Sequence, residues 1–260
     1  MLDRTRDVTR DPHRVAFRPL PWDALPATVE LSPSRVRNVL FAAVAALVVT
    51  GCAAVVAVHV FGVNPKNGIV LTFDLDKEQN VPTYISGMFL LMNAVLAGLI
   101  ARVERLRGSS EARYWVGIAC AFFYMSMDEV AVLHEHLVRP IKAAIDLPSY
   151  LHFAWVVPYA LLVMVFVAVY CRFWWHLPSG TRWRLAAAAT VFLSGAVGME
   201  MVSGHFADAW GTTHTFGYAM MTTVEESLEL VAHVLFISAL LRHLGGVGST
   251  LTIEVASSNR

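Results

Sequence analysis

The sequence predicts an all-α polytopic membrane bundle of six transmembrane helices with both termini in the cytoplasm. Three observations predict it. Of 260 residues, 56% are hydrophobic and 15% charged, with mean hydropathy +0.54, whereas soluble domains carry about 25% charged residues. Apolar runs of about 20 residues, enough to cross a bilayer, occur six times. Sixteen Lys and Arg fall in the amino-terminal segment, alternate connections and the tail, against four in the remaining connections. The positive-inside rule places the richer side, with both termini, in the cytoplasm.

The elements follow in order. Residues 1–37 are polar and arginine-rich without a cleavable signal pattern, so they read as a cytoplasmic segment retained in the mature protein. The six-helix domain covers 38–244. Its first span is Val39–Val63. In the outer loop that follows, Ile69–Phe73 is β-prone and leads into Asp74-Leu-Asp-Lys-Glu-Gln-Asn80 and Pro82. Gln79 and Ile85 stand where an EF-hand needs Gly and Glu, which excludes a calcium loop and leaves a solvated acidic turn. The later spans are Ile85–Ala101, Trp115–Leu137, Leu151–Phe173, Leu185–His205 and Tyr218–Leu241. Trp155, Trp174, Trp175, Trp183 and Trp210 near their ends read as interfacial anchors. Residues 245–260 form a flexible cytoplasmic tail.

Composition also limits function. A formal net charge of zero gives no basic field for nucleic acid, so the expected partners are membrane lipids and other membrane subunits. Cys52, Cys120 and Cys171 lie singly in three apolar segments. They read as small buried hydrophobes rather than as a disulfide or thiolate-zinc framework.

The chemistry concentrates in seven carboxylates within or at the edge of the apolar segments: Asp128, Glu129, Glu135, Glu200, Glu225, Glu226 and Glu229. No lysine or arginine accompanies them. An uncompensated carboxylate at the centre of a membrane helix costs roughly 2.5–3.5 kcal/mol, so these groups need protons, hydrogen bonds or a cation. At about 100° per residue, Glu225, Glu229, His233 and Glu226 share one face of span six. On a continuous span three, Glu135 lies about 20° from Asp128 and His134 about 120° from it in the same direction. Glu200 of span five, with His205 a little over one turn beyond it, reaches a similar depth in the outer half of the bilayer.

Carboxylates and imidazoles on facing helices are how oxygen- and nitrogen-liganded metal centres are built. The expected ligands of a divalent ion (zinc, iron or manganese) are Glu200, Glu225, Glu229, His233, Glu135 and His205. Asp128, Glu129 and Glu226 are the catalytic candidates, with Glu129 or Glu226 as general base to a metal-activated water. The expected function is an outward-facing intramembrane carboxylate/histidine site that binds divalent metal in an enzyme acting on a lipid-phase substrate. The alternatives are a proton- or cation-coupled transporter and an accessory subunit of a larger membrane complex. Unbroken spans rank the transporter second.

The segments FDLDKEQNVPTY (73–84), SMDEVAVLHE (126–135), FAWVVP (153–158) and VEESLEL (224–230) resemble a family of bacterial six-span membrane proteins. That resemblance implies a multi-pass protein of the bacterial inner (cytoplasmic) membrane and brings no activity with it. Through Met127-Asp-Glu-Val-Ala-Val-Leu133 the chain is also similar to the alkaline ceramidase-like membrane hydrolases. The serine and clustered histidine ligands of that superfamily do not map onto this chain; His233 alone takes a deep late-helix position, with glutamates where further histidines would stand.

Overall fold

The computed structural model describes residues 32–145 and 148–246. The expected amino-terminal segment up to Leu31 and the tail from Val247 lie outside the described residues. Every regular element described is helical, with no strand. Helix α1 (Pro33–His59) begins earlier than expected, because proline in a first turn gives up an N–H that has no helical partner. Helix α9 (Phe216–Gly246) runs on through Gly245 and Gly246, which were assigned to the tail.

After α1 the β-prone stretch is instead a short helix, α2 (Gly68–Phe73). Asn67 caps it by accepting the Ile69 N–H at 3.0 Å. Asn80 donates to the carbonyls of Leu71 at 3.1 Å and Asp74 at 2.6 Å. These local bonds outweigh the β propensity of isoleucine, valine and threonine. Leu75, 4% exposed, then packs against Gly51 of α1, where an added Cβ would come within 2.6 Å of Leu75 Cδ1. The acidic loop is therefore docked on the bundle rather than freely solvated.

Helix α3 (Val81–Leu106) starts on Asn80, which accepts the Thr83 N–H at 3.2 Å. It lies between α4 (Ala112–Ala131) and α9. At Gly87 the missing side chain lets α4 approach: a Cβ there would lie 2.8 Å from Val130 Cγ2, and Ser126 Oγ donates to the Gly87 carbonyl at 2.8 Å. Helix α9 is the centre of the bundle, touching α1, α3, α7 (Ser179–Leu193) and α8 (Glu200–Trp210). Its Leu230, Ala232, Val234, Ile237 and Leu240 are at most 1% exposed. Helix α6 (Val156–His176) is peripheral, with Leu161, Leu162, Met164 and Val167 each more than half exposed, as lipid contact requires. Aromatic contacts hold it to α4, with Tyr114 stacked on Phe173 at 4.9 Å and Tyr170 Oη donating to the Tyr114 carbonyl at 3.2 Å.

Four helical stretches are long and apolar enough to cross a membrane: Pro33–His59, Val81–Leu106, Val156–His176 and Ser179–Trp210. A bent pair, Ala112–Ala131 with Glu135–Ala144, makes a fifth if it is one span.

Two expected spans are interrupted, and both interruptions lie beside the acids. Helix α4 stops at Ala131, where Val132 takes a left-handed conformation (φ 55°) and its N–H closes on the Asp128 carbonyl at 2.7 Å. The chain bends by 73° into a 3-10 turn at Glu135–Leu137 and a short helix, α5 (Val138–Ala144). A β-branched residue in that region costs on the order of 1–3 kcal/mol; here Val132 is buried and the turn is tied to Asp128. The continuous-helix directions for His134 and Glu135 are therefore superseded. The second interruption is a π-helical turn, Ser194–Met199, joining α7 to α8. Cys120 and Cys171 are exposed rather than buried, and all three cysteines are free.

Candidate functional site

The loop before α3 and the turn after α4 meet at one rim. Ligand atoms of Glu78, His134 and Glu135 lie within 4.8 Å of one another, the one such group of three or more found among the described residues. Each is placed by a feature already described. Leu75 pins the loop that carries Glu78, and the break at Val132 swings His134 and Glu135 back toward it. A tetrahedral ion with bonds of about 2.1 Å spaces its donors roughly 3.4 Å apart, somewhat closer than the limit of 4.8 Å that holds here. One imidazole and two carboxylates suit zinc, iron or manganese.

Behind the rim stands a hydrogen-bonded support. Asp128 Oδ1 accepts the His134 backbone N–H at 2.8 Å and lies 3.4 Å from His134 Nδ1. Asp128 Oδ2 accepts from Tyr159 Oη at 2.9 Å, and Tyr159 Oη is 2.9 Å from Tyr124 Oη. Trp155 packs edge-on against His134 with ring centroids 5.0 Å apart, and its Nε1 donates to Glu200 Oε1 at 3.0 Å.

The remaining acids lie inward. Glu129 lies near Ser86 on α3 and near Glu226 and Glu229 of α9. The carboxyl groups of Glu200 and Glu225 face one another, and Glu225 Oε2 is buried without a hydrogen-bond partner. Gly195 in the π turn permits this packing: a Cβ there would lie 3.0 Å from both the Glu225 carbonyl and Glu229 Cγ. His233 is fully buried, its Nδ1 3.4 Å from Ser86 Oγ and its Nε2 without a partner. His205 stands apart, with Nδ1 3.1 Å from Ser149 Oγ.

Glu78 has its ionisation displaced. Its side chain is exposed, yet protein atoms crowd its carboxyl end. This burial, with the nearby charge of Glu129, pushes it up to about 7, against a relief from His134. The metal-free protein therefore binds a proton at Glu78 more tightly folded than unfolded. Its contribution to stability is present below about pH 4.5 and is lost as pH rises to about 7. Glu78→Gln flattens that limb of a melting-temperature-against-pH curve; a curve unchanged in slope contradicts the assignment.

Sequence reasoning did not pick out Glu78, Tyr124, Tyr159 or Ser86, and it took Trp155 for an interfacial anchor. Trp155 and Tyr159 are four residues apart in FAWVVPY, one helical turn, which was the available signal for a polar-tipped face looking inward. Glu78 carried no local signal, because its position depends on the long-range contact of Leu75 with Gly51. No curated protein and no solved structure matches this chain. The family described as Domain of unknown function (DUF8692) matches residues 35–244, and the chain belongs to that family.

Proposed function

We propose that this is a six-span protein of the bacterial inner membrane that binds a divalent cation at its outer rim through Glu78, His134 and Glu135. The carrying observation is the convergence of these three donors next to an interior rich in carboxylates and free of lysine and arginine. The interior acids Glu129, Glu226 and Glu229 supply negative potential behind the rim and a store for protons or cations. The interrupted helix α4 removes the objection to ion handling that unbroken spans raised, since transport sites are built where helices break. A second reading, a metal-dependent enzyme on a lipid-phase substrate, is favoured by the donor count. Three protein ligands leave a coordination position for water, and Glu129 is the base set nearest the rim along α4.

In the proposed topology α4 with its bent continuation and α9 complete the six spans, with both termini cytoplasmic. The sixteen-to-four division of Lys and Arg supports it. In a variant lacking Cys52, Cys120 and Cys171, an impermeant thiol reagent added from outside labels Lys77→Cys and spares Ser110→Cys. Equal labelling at the two positions contradicts the orientation. Elemental analysis of protein purified without chelator tests the cation reading: about one zinc, iron or manganese per chain is expected, and absence of all three retires it.

A further inference from the structure

We infer that Asp128 is a positioning residue that holds His134 as the Nδ1–H tautomer, so that Nε2 is the nitrogen turned to a cation beside Glu78 and Glu135. The inference rests on the cation reading above, but its first half concerns the metal-free protein alone. The two oxygens of Asp128 are surrounded by donors. Oδ1 accepts the His134 backbone N–H at 2.8 Å and faces the ring Nδ1 at 3.4 Å, while Oδ2 accepts from Tyr159 Oη at 2.9 Å. A carboxylate so placed is an acceptor, and a neutral imidazole keeps its proton on the nitrogen that faces an acceptor. Nε2 then carries the free lone pair.

Direction is fixed along a chain of contacts. Tyr159 spends its proton on Asp128, so the 2.9 Å contact between the two tyrosines has Tyr124 as its donor. The sequence of donors therefore runs from Tyr124 to Tyr159 to Asp128, with His134 donating from the other side. Asp128 is 8% exposed, so water competes weakly for its oxygens. Trp155 and Tyr159 both stand edge-on to the His134 ring, at 5.0 and 6.5 Å between centroids, which restricts its rotation. The backbone bond matters as much as the ring contact. By accepting the His134 N–H, Asp128 secures the turn that brings this residue to the rim, so one side chain sets both where the imidazole is and which nitrogen it presents. Metal-binding histidines are held in this way by a carboxylate on the second nitrogen, and loss of that partner lowers metal affinity roughly 10–100-fold.

The test is nitrogen NMR of full-length protein carrying 15N-histidine, stripped of metal in lipid nanodiscs, with the His134 signals identified by their loss in His134→Gln. The wild type is expected to show a protonated Nδ1 and an unprotonated Nε2. Asp128→Asn, which keeps the shape and can donate as well as accept, is expected to shift the ring toward the other tautomer. It also weakens zinc binding about 10–100-fold without changing stoichiometry. Tyr159→Phe, which leaves the Asp128 carboxylate in place but less firmly oriented, moves both readouts in the same direction by less. A wild-type His134 protonated on Nε2, or a tautomer unmoved by Asp128→Asn, overturns the inference. The expected tautomer in a wild type that binds none of zinc, iron or manganese overturns the cation reading instead and leaves the role of Asp128 in orienting the ring standing.

Discussion

Glu135→Gln is expected to abolish the divalent-cation binding proposed at the rim while leaving the helical bundle intact. The substitution keeps the shape and deletes one of two anionic donors at the rim, and Glu135 is exposed in a 3-10 turn that has no buried residue. Losing a direct ligand costs more affinity than the roughly 10–100-fold lost when only an outer partner of a ligand is removed. Metal content therefore falls below detection in protein purified without chelator, and His134→Gln does the same. Glu229→Gln serves as the control, since Glu229 lies inward on α9 and outside the converging group. Helical circular dichroism unchanged across the three variants, with metal lost only in the rim pair, is the expected pattern. Metal retained in Glu135→Gln and lost in Glu229→Gln would move the site inward.

Gly195→Val destabilises the protein by about 1–3 kcal/mol, the range for forcing extra carbon into a packed interior. The new Cβ would meet the Glu225 carbonyl at 3.0 Å, Glu229 Cγ at 3.0 Å and Leu228 Cβ at 3.1 Å. One of these is backbone of the central helix and cannot swing aside. The π turn must then separate from α9, which also parts Glu200 from Glu225. Gly198→Ala, three residues on in the same turn, meets nothing closer than the Leu193 carbonyl at 3.7 Å and leaves the unfolding temperature within experimental scatter. A Gly195→Val protein that unfolds with the wild type would show that the turn does not bear on α9.

Helix class and the existence of long apolar segments were legible in the sequence because hydrophobic length is a direct readout of bilayer thickness. The two interruptions were not. Helix breaks are read from Gly and Pro, and α4 ends at Val132, a residue that carries no such signal; its left-handed backbone is held by Asp128, six residues before the N–H that it accepts at His134. Extending a 100° wheel through that break turned His134 away from the acid it contacts. The π turn inserts its irregularity inside a run of small and apolar residues, with Gly195 and Gly198 as its only local trace. The acids on α9 were found because an intramembrane carboxylate stands out against its surroundings. Glu78 was passed over for the opposite reason. Among Asp74, Asp76 and Lys77 it looks like any solvated loop acid, and only the burial of Leu75 against Gly51 sets it at the rim.

The most direct measurement is the position of anomalous scattering density, collected at the absorption edge of the metal found by elemental analysis, in crystals of the full-length protein. The rim reading predicts one peak among Glu78, His134 and Glu135, about 2.0–2.2 Å from the donor atoms. A peak among Glu225, Glu229 and His233, or crystals that take up no metal at all, would contradict it.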